Sequence, residues 1–188
     1  METFYSIQKC YYDNEILIQS DVLTPVLLGQ HFLTKEQIPL LDIPCHISLG
    51  KKCNDFIFYE GIPHVFFSQR MVDVFAEFVD VSKYFYPIKI EGVVNAQYYI
   101  DICWPKVQYL KQKDDRYPGI PPHFHLLSPM PPIATLVKDG VVVYLCSTKI
   151  KNTFERYIQE PYNYFFVEYS GLTDREYSQW KVIYKDYI

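Results

Sequence analysis

The chain has 188 residues, 49% hydrophobic and 18% aromatic with 18 Tyr and 13 Phe, which excludes a disordered chain and leads to one domain over 1–188, or two small subdomains sharing a core. A formal charge of −4 with no run of five like charges argues against direct nucleic-acid binding. Five scattered cysteines without Cys-x-x-Cys, an N-terminus without an apolar core, and no apolar run near the roughly 18 residues a membrane helix needs lead to a cytoplasmic protein with no membrane segment.

In chain order, Phe4 to Ile7 and Ile16 to Gln19 are β-prone, and Thr34 is placed to cap a helical turn that Pro39 stops. Pro44 leads into a loop containing Gly50, Lys51 and Lys52. Asp55 to Tyr59 is β-prone; Gly61 and Pro63 break it before His64 to Phe67. Met71, Phe75 and Phe78 fall at i, i+4 and i+7, one face of a helix that Val74 widens and Ser68 is placed to cap. Tyr84, Tyr86, Ile88 and Ile90 then alternate as in a half-buried strand. Gln97 to Cys103 is β-prone and suits pairing with the Ile88 strand through a turn around Gly92 to Asn95.

Lys111 to Arg116 reads as an exposed polar turn or a frayed helix end, and the proline-rich stretch from Pro118 to Pro132 as a tethered loop. Ile133 to Val137 and Val141 to Cys146 flank Asp139-Gly140, a dipeptide that readily supplies the positive φ angles of a hairpin turn. A terminal strand is expected from Trp180. One relation is longer in range. Sliding Phe66–Gly92 forward by 79 residues, the separation of Ser68 from Ser147, lays it without a gap on Leu145–Gly171. Ile150, Phe154 and Tyr157 then repeat the helix face of Met71, Phe75 and Phe78. These two units, 66–92 and 145–171, lead to an α+β fold: a mixed, mainly antiparallel sheet covered by a few helices and built around two similar strand-helix-strand pieces.

Chemistry is sparse. A serine between strand and helix suggests a hydrolase elbow, but bulky residues flank Ser68 and Ser147 where that turn needs glycine, so both read as helix caps. His123 and His125 fall on one side of an extended segment, and Cys45, His46 and Cys53 are further soft ligands, yet neither group has a zinc-site spacing. Asp114 and Asp115, with Glu91 and Asp101 upstream, fit a solvated turn better than paired acid-base carboxylates. Cys146 ends an apolar strand and reads as buried; Cys53 is the other thiol considered as a nucleophile. No phosphate-binding glycine loop occurs. No catalytic residue, cofactor or metal is therefore expected. The aromatic surplus points instead to a protein interface, with Trp104, Tyr109, Asp114, Asp115, Arg116 and Tyr117 as candidate partner-binding residues near the polar turn and proline loop.

Asp42-Ile43-Pro44, the Phe67-Ser68 strand end before the amphipathic helix, Tyr86-Pro87-Ile88 and Tyr98-Tyr99-Ile100-Asp101-Ile102 resemble bacterial immunity proteins of polymorphic toxin systems, of the family numbered eleven or forty-three. The second strand-Ser-helix, Tyr144 to Phe154, extends the likeness, which covers roughly residues 40 to 171. The resemblance implies a cytosolic, non-enzymatic antitoxin that binds a cognate toxin domain and blocks its active site or substrate channel. It carries over no catalytic residues. Two alternatives stand beside it: a small metal-dependent or hydrolytic enzyme using the His123/His125 loop, and a scaffold protein associating through sheet edges. Oligomeric state is not legible.

Overall fold

The structure, a computed structural model, describes residues 2–9, 12–21, 44–60, 65–102, 104–110, 123–125, 131–138, 141–158 and 163–172. The Thr34 turn, the Lys111–Arg116 turn, Asp139-Gly140 and the expected strand from Trp180 lie outside these residues. Along the chain run β1 (Glu2–Lys9), β2 (Leu17–Gln19), β3 (Pro44–Leu49), β4 (Phe56–Tyr59), β5 (Val65–Ser68), helix α1 (Gln69–Ala76), a 3-10 turn (Val81–Lys83), β6 (Phe85–Glu91), β7 (Tyr98–Asp101), β8 (Gln108–Leu110), β9 (His123–His125), β10 (Ile133–Lys138), β11 (Val141–Ser147), helix α2 (Thr148–Tyr157) and β12 (Tyr164–Leu172). The protein is α+β, dominated by strands in mostly antiparallel sheets, and both expected strand-helix-strand pieces are present: β5-α1-β6 and β11-α2-β12.

The chain divides into two compact units, one of Met1–Gln8, Pro105–Lys151 and Phe166–Ile188, the other of Lys9–Trp104 and Asn152–Phe165. The second unit holds a closed barrel, β2-β3-β6-β7-β5-β4, in which β3/β6 and β2/β4 are parallel and the remaining pairs antiparallel. Closure leaves no unpaired strand edge, which very short strands such as the three residues of β2 need in order to persist. Alternation sorts the side chains. Ile57 of β4, Phe66 of β5, Ile88 and Ile90 of β6 and Tyr98 and Ile100 of β7 pack with Ile16, Ile18 and Cys45 into one buried cluster.

Their neighbours face the other way. Phe56 and Phe67 join Phe85, Phe75 of α1, Trp104, Phe154 and Tyr164 in a network of rings 5.2 to 6.3 Å apart, mostly edge to face. Met71, Val72, Val74 and Phe75 are the buried face of α1, which the spacing had marked at Met71, Val74 and Phe75. Phe78 differs from the expectation. The helix ends at Ala76, the Phe78 N–H turns back onto the Phe75 carbonyl at 2.9 Å, and the ring is half-buried. β7 pairs with β6, Ile88 opposite Tyr98, as the sequence suggests.

The first unit holds a six-stranded sheet ordered β10-β11-β1-β12-β9-β8. The hairpin read around Asp139-Gly140 is present, with Lys138 opposite Val141 and Ile133 opposite Cys146. β1 runs antiparallel to β11, β9 parallel to β12 and β8 antiparallel to β9. Two expectations are corrected. The stretch after Pro44 is a strand, with the proline at its first position where no ladder N–H is required, and the proline-rich loop contains β9. Both owe their conformation to partners far along the chain, β6 and β12, and short segments of that kind carry little local signal.

Candidate functional site

In the second unit the polar groups concentrate where β5 turns into α1. Ser68 does two jobs. Its Oγ accepts the Met71 N–H at 3.4 Å, capping the helix, and donates to Asp55 Oδ1 at 2.7 Å. Asp55 is 1% exposed, and Arg70, half of whose side chain reaches solvent, clamps it through Nε and Nη2 onto its two carboxylate oxygens. A buried carboxylate needs such a partner, because an unpaired charge in the interior costs several kcal/mol. The fork also fixes the plane of the guanidinium and raises the Arg70 pKa further.

The surrounding amides are committed as well. Gln97 Nε2 donates to the Ile88 and Tyr98 carbonyls, Gln69 Nε2 donates to Asp73, and the Tyr99 hydroxyl donates to Gln69 Oε1. The buried Tyr98 hydroxyl donates to the Asn54 carbonyl at 2.7 Å; burial, reinforced by the neighbouring Cys53 and Asp55, raises its pKa and keeps it a donor. Beneath lies Glu15, fully buried, one carboxylate oxygen held by the side-chain amides of Asn54 and Asn163. Asn54, Asp55, Ser68, Arg70, Gln97 and Tyr98 line a cleft of about 570 Å³ that also includes Lys52, Cys53 and Asn95. A second cleft of about 560 Å³ contains His46, Lys89, Glu91 and Val94, and shares Ala96 and Gln97 with the first.

Several apolar side chains of this unit are left unburied by the fold. Val94 is 93% exposed, Leu49 58% and Tyr12 48%, with the Lys52 ammonium 5.7 Å from the Tyr12 ring centre. Val94 sits in the β6–β7 connection that divides the clefts, directly before Asn95. The arrangement is closely hydrogen-bonded. Its hydrogen bonds hold the side chains in fixed positions, so little conformational entropy is left to lose when a partner docks.

The residues singled out in the sequence are dispersed. Trp104 corrects the interface expectation: it is 2% exposed, its indole N–H donates to the Tyr84 carbonyl at 3.1 Å, and it stacks on Phe67, so its large apolar ring serves the core. Tyr109 lies in β8 opposite Phe124. Asp114, Asp115, Arg116 and Tyr117 lie outside the described residues. His123 and His125 occupy β9, opposite Ser170 and Leu172 of β12. Cys45 is buried in β3, its thiol pushed up from 9.0 to about 11 by desolvation, and burial raises Cys146 further still; neither is a thiolate at neutral pH. Cys53 is exposed.

Ser147 repeats the cap, accepting the Ile150 N–H at 3.5 Å. We expect Ser147→Ala to cost about 1 kcal/mol and Ser68→Ala about 2 kcal/mol, since the latter also removes a donor from a buried carboxylate. Urea unfolding of the two variants checks the order, and equal losses would contradict the double role of Ser68. Sequence reading found Ser68 but not Asp55, the carboxylate that Ser68 and Arg70 share, because Asp55 meets them only when β4 and β5 pair. No family model, curated protein or solved structure matches the chain. Among the described residues, no helix is long and apolar enough to cross a membrane, and no three His, Cys, Asp or Glu side chains gather as for a metal ion.

Proposed function

We propose that the protein is a non-catalytic binding protein, an immunity-type antitoxin that neutralises a cognate bacterial toxin domain, and that it docks through the second-unit face around Val94. The observation that carries this reading is the exposed Val94 of the second cleft and the half-exposed Tyr12, whose ring lies beside Lys52 of the hydrogen-bonded first cleft. Of the groups on this face, Tyr12 and Arg70 belong to the residue types that most often anchor interfaces. The motif likeness to immunity proteins supplies the partner class. A stable inhibitory complex needs roughly 1,200 to 2,000 Å² of buried surface, so the face includes more than these residues.

Co-expression with the toxin domain encoded beside its gene tests the reading. The wild-type chain is expected to restore growth and to co-purify with the toxin. The double variant Val94→Asp/Tyr12→Ala should bind about 10-fold or more weakly while keeping its thermal midpoint. Asp114, Asp115, Arg116 and Tyr117 form the other proposed seat of the interface, so a quadruple alanine variant that alone loses binding would move the contact there. A wild-type chain that neither binds the toxin nor protects against it overturns the antitoxin reading altogether.

A further inference from the structure

The two units are assembled in the same way, beyond the strand-helix-strand piece visible in the sequence. The chain runs β2, β3, β4, β5, α1, β6 in one and β8, β9, β10, β11, α2, β12 in the other. Across the sheets the orders are β4-β5-β7-β6-β3-β2 and β10-β11-β1-β12-β9-β8. Strand directions agree pair by pair: antiparallel for β4/β5 and β10/β11, parallel for β3/β6 and β9/β12, antiparallel for β2/β3 and β8/β9. Even the closure matches. β2 meets β4 in parallel, and Lys106, just ahead of β8, bridges Thr135 of β10 in parallel.

One position breaks the chain order. Between β5 and β6 lies β7, which follows β6; between β11 and β12 lies β1, from the opposite end of the chain. The two strands nevertheless meet β5 and β11 in the same way. Both run antiparallel to their neighbour, with Tyr98 opposite Ser68 and Phe4 opposite Ser147, and both residues are buried. The Ser68 N–H donates to the Asp55 carbonyl at 2.8 Å and the Ser147 N–H to the Pro132 carbonyl at 2.8 Å. The residue before the slot strand's buried aromatic also recurs: Gln97 O accepts the Gln69 N–H at 2.9 Å, and Thr3 O accepts the Thr148 hydroxyl at 3.1 Å. On its other side β1 is held to β12 by Ser6 Oγ donating to the Val167 carbonyl at 3.4 Å.

We infer that the two units are copies of one barrel and that the copy in the first unit is permuted: β1 is its β7, supplied from the front of the chain into a slot that exists for a strand following β12. A ladder of matched directions, registers and cap bonds does not arise from two unrelated units that share one helix motif. The copies also separate what the barrel requires from what one copy adds. Pro132, Lys149 and Phe4 serve where the second unit has Asp55, Arg70 and Tyr98, so the buried ion pair and the tyrosine hydroxyl are additions to the common frame. Those additions coincide with the face on which the proposed function rests.

Relocating the strand tests the permutation. Residues 1–9 are moved behind Ile188 through a short Gly/Ser linker with every other residue kept, and alkylation of the buried Cys146, opposite Tyr5 of β1, reports whether the slot is filled. We expect Cys146 to react at least about 100-fold more slowly than Cys53 in the permuted chain, as in the native one. The thermal midpoint should stay within about 5 °C. Adding Phe4→Asp and Ile7→Asp to the permuted chain should abolish the protection. A permuted chain in which Cys146 reacts as fast as Cys53 while Cys45 stays protected overturns the inference. Should Cys45 and Cys146 both react freely, hydrogen exchange on the native chain decides. Exchange of the β1 amides in the same step as those of β11 sustains it, and earlier exchange of β1 alone overturns it.

Discussion

Gly50→Ala is expected to destabilise the second unit by at least about 3 kcal/mol, far more than a change of one methyl group ordinarily costs. Two effects add. Gly50 has φ +80°, a conformation that costs an L residue about 1 to 2 kcal/mol. A Cβ there would also lie 1.9 Å from the Glu15 carbonyl oxygen and 2.5 Å from its carbon, which are backbone atoms with nowhere to go. That approach is fixed from both sides: Lys51 and Lys52 donate to the Asn14 carbonyl at 3.0 and 2.9 Å, and the Ile16 N–H to the Lys52 carbonyl at 3.0 Å. Moving the segment to admit a methyl would break these bonds and disturb the buried Glu15. Gly92 is the control. It also has positive φ, +87°, but its nearest obstacle is the tip of Ile47 at 3.7 Å, so Gly92→Ala should cost only about 1 kcal/mol. Denaturant unfolding of both variants measures the difference, and equal losses would refute the close approach at Gly50.

The sequence shows Gly50 only as a loop residue, and the reason generalises. Features that repeat within ten residues are legible: the face of α1, the alternation of β6, the hairpin of β10 and β11, and the two cap serines each express a local period or turn preference. Features created by the meeting of distant segments are not. β3 and β9 take their extended form from β6 and β12, and Asp55 becomes a buried ion-pair partner only because β4 lies beside β5. The 79-residue offset lays β5-α1-β6 on β11-α2-β12, with one mismatch in it. It equates Gly92 with Gly171, yet Gly92 makes a turn at positive φ while Gly171 sits inside β12 opposite Phe124. Trp104 failed for a related reason. An aromatic near polar segments resembles an interface anchor in one dimension, and only the aromatic network of the second unit shows that the core claims it.

Phe75→Ala should remove about 4 kcal/mol, a large part of the 5 to 15 kcal/mol that a domain of this kind possesses. Phe75 is fully buried, and its ring lies 5.3 Å from Phe85, 5.5 Å from Trp104, 5.2 Å from Phe154 and 6.3 Å from Phe67. Truncation loses the transfer energy of the ring and leaves a void walled by rigid aromatics, which cannot collapse to fill it as flexible side chains would. The helix periodicity groups Phe75 with Phe78 on one stripe and so assigns them similar weight. The structure does not. Phe78 lies past the end of α1 and is half-buried, so Phe78→Ala should cost about 1 kcal/mol. Trp104, in ring contact with Phe75, gives a fluorescence signal for following both variants through urea unfolding. A Phe78→Ala loss as large as that of Phe75→Ala would mean that α1 continues through Phe78 and packs both rings alike, against the turn that ends it at Ala76.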